Sequence, residues 1–203
     1  MGGLENFHFA PAFGVSVDPE FPGDGDWGCD VYGFGRDGLV EDDFHSAWGT
    51  PTIIEVIPSE GDRWVGKYAA GGLGIASGLY ATPDPFLLCV VVDGLAYMTD
   101  VRRPGEGSLV VHNQVSQVMA VEGASLLLLV RAFDIVALGI GGVAWRTGRI
   151  AVDDLFVVSA TDGVIECTLD NLGGSDTITL EAATGRQLGG TRLDSFWPPD
   201  ALA

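Results

Sequence analysis

The chain has very few basic residues. Lys67 is its only lysine, and lysine and arginine together number 10 against 28 acids, which gives a formal net charge of −18 over 203 residues. The acidity comes mainly from this shortage of bases. Because phosphate contacts need clustered lysines and arginines, we expect no nucleic-acid partner. Two explanations stay open: an acidity that is only compositional, or an acidic face that attracts a basic protein.

Cysteine and histidine are scarce as well, with three residues of each. The cysteine number is odd and the spacings are long, which excludes a disulfide framework and a zinc pattern of the C-x₂-C kind. We therefore predict three reduced thiols, no metal and a cytoplasmic location. Residues 1–10 lack a basic stretch followed by an apolar run, so no signal peptide is expected. The three cysteines are Cys29, Cys89 and Cys167.

Motifs for nucleophilic and phosphate chemistry are missing. The sequence has no G-x-S-x-G, and Lys67 does not follow a phosphate-binding loop. The glycine-rich residues 72–78 do not have the arrangement of a nucleophile elbow. We expect no cofactor. The sequence identifies no catalytic residue, and the missing motifs favour a protein that is not an enzyme without excluding one whose residues converge only in the fold.

Glycine and proline are frequent along the sequence and indicate a β fold. There are 30 glycines and 10 prolines, both poor helix formers, in a chain that is 47% hydrophobic. From residue 51 onward, short apolar or alternating segments are separated by turn signals such as Asp-Gly. The sequence predicts one all-β domain over residues 1–203, a sandwich or a propeller-like β-meander. Its residues 1–50 are loop-rich, and residues 51–195 form the strand-rich body.

One apolar stretch, residues 126–145, has about the length of a membrane span. Arg131 and Asp134 lie within it and glycines interrupt it, so two buried strands joined by a turn are the better interpretation, and no membrane partner is expected. At its end, Trp145 is predicted to lie in the core, with Arg146 pointing outward by alternation.

Local patterns predict the elements of the N-terminal part. A strand is expected within residues 7–17, turns over residues 18–38, and a short helix over residues 41–48. Asp-Gly and Ala-Thr-Gly near residues 93, 162 and 184 predict hairpin turns, because these residues accept positive backbone angles.

Some of these segments resemble the blade elements of quinoprotein-type β-propellers. Asp93-Gly94-Leu95-Ala96-Tyr97 is similar to their D-G-x-V/A-Y element. Residues 181–186, with the Ala-Thr-Gly turn, are similar to D-A-x-T-G, and residues 143–145 supply a tryptophan that does not follow that turn. The resemblance implies a β-meander architecture and brings no cofactor site with it.

Acidic and aromatic residues are interleaved in the N-terminal third. Such loops suit recognition of a protein better than recognition of nucleic acid. The sequence therefore favours a non-catalytic protein-binding domain, of which an inhibitor or immunity-type protein is one kind, with a basic protein as partner. The candidate binding residues are Asp24, Asp26, Trp27, Asp42, Asp43, His45 and Trp48.

Two other functions stay open. The acids at residues 41–43 beside His45 could serve a carboxylate-dependent, metal-assisted hydrolase if they converge with other acids. Five acids between residues 18 and 30 could bind calcium, but a solvated loop is the favoured interpretation. The chain could also be a structural subunit of a larger assembly. A polar triplet, His112-Asn113-Gln114, is expected to line a pocket, cap a strand edge or form a bulge.

Overall fold

The protein has an all-β fold. The computed structural model describes residues 2–40, 49–72, 76–171 and 174–191, and within them the only helical segment is a 3₁₀ turn at Pro104–Glu106. These described residues form eighteen strands in four sheets, and the chain divides into two compact units, residues 1–114 and 115–203. The prediction of an all-β fold is confirmed, and that of a single domain stays a prediction.

The first unit contains two five-stranded sheets. The first sheet has the order β2-β5-β6-β3-β4, in which only β3 and β6 are parallel neighbours. Its strands are β2 (Phe13–Val17), β3 (Asp30–Gly35), β4 (Gly38–Val40), β5 (Thr52–Pro58) and β6 (Trp64–Tyr68).

The second sheet of this unit is a meander with one added strand. Its order is β1-β7-β8-β9-β10, and β1 joins the edge of β7 in parallel. Its strands are β1 (Leu4–Glu5), β7 (Gly78–Ala81), β8 (Leu87–Val92), β9 (Leu95–Asp100) and β10 (Leu109–His112).

The two sheets of the first unit share one hydrophobic core. The first sheet contributes Phe34, Ile54 and Val56, and the second contributes Leu88 and Val90 among others. Polar ends of buried aromatic residues also connect the sheets. The Trp64 indole Nε1 donates to the Val101 carbonyl at 3.0 Å, and the Tyr97 hydroxyl donates to the Ala69 carbonyl at 2.9 Å. These bonds satisfy groups whose burial would otherwise be costly.

The second unit consists of two four-stranded antiparallel meanders. The third sheet runs β11-β12-β13-β14 and the fourth runs β15-β16-β17-β18, each in sequence order. The strands are β11 (Gln117–Ala120), β12 (Leu127–Val130), β13 (Ile135–Gly139), β14 (Gly142–Arg146), β15 (Asp153–Thr161), β16 (Val164–Asn171), β17 (Gly174–Glu181) and β18 (Gln187–Gly189).

These two sheets also share a core. Leu128 and Ile135 of the third sheet pack in one cluster with Val157, Ile165 and Leu180 of the fourth. Along β17, buried and outward positions alternate, as expected of a half-buried strand, whereas β12 and β13 are buried throughout. An alternating segment and two continuously apolar segments of the sequence thus correspond to a half-buried strand and two fully buried strands.

The predicted Asp-Gly hairpins are confirmed. Asp93 and Gly94 have φ of 44° and 77° between β8 and β9, and Asp162 and Gly163 have φ of 51° and 76° between β15 and β16. Positive φ at both central residues is the type I′ geometry that matches strand twist. The apolar residues 126–145 form the two expected buried strands, β12 and β13, and most of a third strand, β14, which the two-strand interpretation does not include and which is largely exposed. Arg131 and Asp134 pair at the turn between β12 and β13 at 2.6 Å. Among the described residues, none lies in a helix that is long and apolar enough to span a membrane.

The local structure differs from the prediction in two places, and a third prediction concerns residues that the structure does not describe. Residues 30–40 form the β3–β4 hairpin rather than turns. Gly33 and Gly35 pair with Val40 and Gly38 in this hairpin, and both positions favour glycine because a Cβ at either would lie 2.8 Å from a methyl group of Val40. The strand β7 was not predicted, since its short sequence lies next to glycines and prolines. The helix expected over residues 41–48 lies outside the described residues.

The prediction that Trp145 is buried in the core is wrong, because the residue lies at the edge of the core. Its side chain is half-buried and packs against the edge of the second unit's core. The indole Nε1 donates to the Ala182 carbonyl at 2.9 Å, which holds the ring over the end of β17.

Candidate functional site

Asp24 and Asp26 lie on one exposed loop before β3, here called the acidic loop (residues 18–29). The Asp24 Oδ1 accepts the Asp26 backbone N–H at 3.1 Å, and the Asp26 Oδ1 accepts the Gly28 backbone N–H at 2.8 Å. Each carboxylate therefore uses one oxygen to shape the loop, as short acidic side chains often do in turns. Because both residues are exposed, their charges remain in contact with solvent.

The same loop presents an aromatic pair. Phe21 is 64% exposed, and its ring meets the half-buried ring of Trp27 edge to face, with centroids 5.4 Å apart and planes at 86°. An exposed phenylalanine beside a tryptophan is the type of apolar contact that often anchors a protein partner. Trp27 was expected at the site, and Phe21 was not.

Arg63 connects the acidic loop to the first sheet. Its Nη1 lies 2.5 Å from Glu55 Oε1 on β5, and its Nη2 donates to the Trp27 carbonyl at 2.8 Å. The guanidinium can serve two acceptors because its donors are arranged in a fixed fork. Sequence reasoning missed this role. The pairing of β5 with β6 sets Glu55 near Arg63, and the parallel pairing of β3 with β6 brings Trp27 to the same place.

The remaining predicted binding residues, Asp42, Asp43, His45 and Trp48, lie outside the described residues. Their relation to the acidic loop stays a prediction. Other aromatics from the N-terminal third have structural positions: Phe34 is fully buried and Trp64 is 2% exposed, so both belong to the core.

The three cysteines are free thiols in different environments. Burial raises the pKa of both Cys89 and Cys167 to about 12, which makes the reactive thiolate scarce at neutral pH. Cys29, at the end of the acidic loop, is half-buried. Partial burial raises its pKa as well, and the positive charge of Arg63 opposes that effect. None of the three has the lowered pKa of a nucleophilic cysteine.

The triplet at residues 112–114 follows a β-bulge. The pairing of β10 with β9 shifts between Val110 and His112, and Gln114 takes a φ of 55°. The extra residue of the bulge is Val111, just before the triplet, so the triplet lies at the end of β10 and does not itself form the bulge. His112 is 8% exposed at this point.

The described residues contain no group of three or more histidines, cysteines or acids arranged to hold a metal ion. In the acidic loop, this agrees with the orientation of Asp24 and Asp26 toward backbone N–H groups. What the arrangement offers chemically is an exposed negative surface with an aromatic contact beside it.

No protein-family model matches the chain, and no curated protein sequence matches it. Among solved structures, it is similar to the N-terminal domain of Nup159, with 12% sequence identity and a TM-score of 0.37. The match covers 99% of this chain and 56% of that structure, so the chain spans a little over half of its length. The resemblance to quinoprotein-type blades stays a prediction.

Proposed function

We propose that the protein is a non-catalytic binding domain that uses the acidic loop to associate with a basic protein. The observation that carries this proposal is the joint presentation of charge and apolar surface: exposed Asp24 and Asp26 share one loop with the exposed ring of Phe21. Charge would steer a basic partner to the loop, and the rings would hold it after contact.

The way the loop is held supports this proposal. Arg63 ties the Trp27 carbonyl to Glu55, and two carboxylate turns shape the residues between Asp24 and Gly28. A loop that is organised before binding loses less conformational freedom on association than a disordered one. The overall net charge of −18 adds a long-range field of the same sign.

We place the protein in the cytoplasm as part of the same proposal. Three free thiols, two of them buried, suit a reducing compartment. An inhibitor or immunity-type role, in which an acidic surface covers the basic site of another protein, is a specific form of this function.

The proposal is tested by capture from the native host with the protein immobilised, comparing wild type with the double variant Asp24→Asn and Asp26→Asn. Asparagine keeps the side-chain oxygen that accepts the Asp26 and Gly28 N–H groups, so the variant removes charge and preserves the turns. The control, Asp37→Asn with Asp170→Asn, removes two exposed charges elsewhere. We expect a basic protein retained by the wild type and the control but reduced with the loop variant; equal retention by all three would contradict the proposal.

A further inference from the structure

A polar cleft lies in the first unit beside the acidic loop, with a volume of about 190 Å³. We call it the Tyr32 cleft; its lining includes Asp30, Tyr32, Glu60, Asp62, Trp64 and Pro104. Parallel pairing of β3 with β6 sets Asp30 beside Trp64, and this brings the loop after β5 next to the start of β3. Residues 30 and 60–62, far apart in the sequence, thereby share one cleft.

The inner wall of the Tyr32 cleft is aromatic and apolar. The half-buried Tyr32 ring meets the Trp64 ring edge to face at 5.9 Å, and buried Val101 and Pro104 complete the lining there. The Tyr32 hydroxyl donates to Asp30 Oδ2 at 3.1 Å, which fixes the carboxylate at the mouth of the cleft. Burial, followed by this hydrogen bond, raises the pKa of Tyr32, so the phenol stays neutral and keeps donating at physiological pH.

The charges of the cleft do not cancel. Two arginines line it, but each is bonded to an acid outside the lining: Arg63 to Glu55 at 2.5 Å, and Arg102 to Asp100 through two hydrogen bonds of 3.0 and 2.9 Å. The lining acids Asp30, Glu60 and Asp62 therefore stand in excess, and all three are exposed. An anionic ligand would face these carboxylates, whereas a cation would be attracted to them.

The size of the cleft suits a single side chain better than a larger ligand. Sites for drug-sized molecules and cofactors usually measure about 300–1,000 Å³, whereas a cavity of about 150 Å³ accepts a benzene-sized group. At about 190 Å³ the Tyr32 cleft falls between these classes, close to the smaller one.

We propose that the Tyr32 cleft binds an arginine side chain of the basic partner. Arginine matches this lining because its planar guanidinium both pairs with carboxylates and stacks on aromatic rings, which a lysine ammonium does less well. The inference rests on the proposed function for the source of the arginine. The Tyr32 cleft, on the same unit as the acidic loop, would thus give the partner a specific pocket in addition to the charges and exposed rings of that loop.

The protein already holds one of its own arginines in this way. The Arg102 guanidinium pairs with Asp100 and lies 4.0 Å from the centroid of the Phe86 ring. A carboxylate and a ring together thus form an arginine site in this fold. Asp30 and Tyr32 present the same pair of groups at the cleft.

The test uses N-acetyl-arginine amide as the probe and requires no partner. Binding is followed by NMR of ring-labelled tyrosines, of which the chain has four, with the Tyr32 signal assigned through Tyr32→Phe. The citrulline analogue has nearly the same shape without the charge, and the lysine analogue has the charge without the planar group. We expect a saturable shift of the Tyr32 signal with the arginine probe, and at least about fivefold weaker binding of both analogues.

Two kinds of variant locate the effect in the cleft. Asp30→Asn, Glu60→Gln and Asp62→Asn together should weaken probe binding by about tenfold. Asp37→Asn, Glu122→Gln and Asp170→Asn remove the same charge from exposed positions outside the cleft and should leave it nearly unchanged. Gly105→Leu should obstruct the Tyr32 cleft without changing its charge, because a Cβ at this position would lie 3.6 Å from Tyr32 Cε1. This variant should therefore also weaken binding of the arginine probe.

The inference is overturned if the Tyr32 signal does not shift saturably, if citrulline or lysine binds as tightly as arginine, or if the control triple variant weakens binding as much as the cleft triple variant. Any of these results would leave the acidic-loop proposal standing, since its own test changes only Asp24 and Asp26. Conversely, if the protein captured no basic partner, the NMR titration with the arginine probe would still show whether the cleft binds arginine.

Discussion

The indole ring of Trp145 lies directly against the backbone of Gly185. A Cβ at Gly185 would be 2.6 Å from Trp145 Cε3, and the Trp145 Nε1 donates to the Ala182 carbonyl at 2.9 Å. The ring from β14 thus covers the Ala183-Thr184-Gly185 turn between β17 and β18. These are the tryptophan and the turn that the sequence singles out separately, and the structure brings them into contact across the third and fourth sheets.

Substitution of Gly185 should therefore be costly for a reason beyond backbone strain. Gly185 and Gly163 both have positive φ, 69° and 76°, but a Cβ at Gly163 would meet no atom within 4 Å. Gly163→Ala should destabilise by about 1–2 kcal/mol from strain alone. Gly185→Ala should cost about 1–3 kcal/mol more, because the Trp145 ring must move. Urea unfolding of both variants measures the difference, and equal losses of stability would show that the ring is not fixed against the turn.

Gln117 protects the free edge of β15 and should be important for stability and solubility. Its Nε2 donates to the Val157 carbonyl and its Oε1 accepts the Val157 N–H, both at 2.9 Å, as a neighbouring strand would. Gln117→Ala leaves both backbone groups without this partner, and we expect a loss of about 1–3 kcal/mol.

An exposed strand edge also promotes association, so Gln117→Ala should aggregate at a lower temperature than wild type in light-scattering scans. Gln117→Glu keeps an acceptor but loses the donor and places a carboxylate against the carbonyl, and it should be no more stable than the alanine variant. Wild-type stability of either variant would contradict the role assigned to Gln117.

A buried chain of hydroxyl groups connects the two sheets of the first unit. Thr99 donates to Ser108 Oγ at 2.8 Å and Ser108 to the Met98 carbonyl at 3.1 Å, which leaves the Tyr68 hydroxyl as donor to Thr99 at 2.9 Å. Tyr68→Phe should cost about 1–3 kcal/mol, because Thr99 loses its donor in a buried site.

The double variant Tyr68→Phe with Thr99→Val removes both partners and should recover part of that loss. Thermal unfolding of Tyr68→Phe, Thr99→Val and the double variant distinguishes the hydrogen bond from general packing. If the double variant is simply as unstable as the sum of both single variants, the two hydroxyls are not coupled.

Much of the fold could be predicted because each buried strand carries its own signal. Residues 87–92 and 127–130 are apolar runs, and the Asp-Gly turns at 93–94 and 162–163 require no tertiary information. The β3 strand could not be predicted, since Gly33 and Gly35 look like turn residues until Val40 packs on them. The acids of the loop were visible in the sequence, but the anchoring by Arg63 depends on a parallel strand pairing that no local pattern encodes.

Asp100 should contribute to stability except in strong acid. The hydrogen bonds from Arg102 and then Arg103 lower the pKa of its carboxyl from 3.8 to about 2, against the opposing effect of burial. A carboxyl whose pKa is lowered by folding stabilises the protein at pH values above the pKa that it has in the unfolded state. This stabilisation is lost as the pH falls toward the pKa that the carboxyl has in the folded state. The contribution should therefore disappear between about pH 4 and pH 2.

The measurement is urea unfolding of wild type and Asp100→Asn across this range. The two proteins should differ above pH 4 and converge near pH 2, since protonated Asp100 resembles asparagine in charge. A difference that stays constant from pH 7 to pH 2 would mean that the carboxyl does not titrate with the lowered pKa.

Steering of a basic partner by the acidic loop is tested by the association rate of the captured partner with wild type and with Asp24→Asn/Asp26→Asn, measured at low and high salt. Steering by exposed charges acts mainly on association and is screened over about 8–10 Å at ordinary ionic strength. We expect slower association of the variant at low salt, a flatter dependence on salt and little change in dissociation, with wild-type rates for the Asp37→Asn/Asp170→Asn control. Equal association rates for all three proteins at both salts would contradict this expectation and would mean that the acidity is compositional.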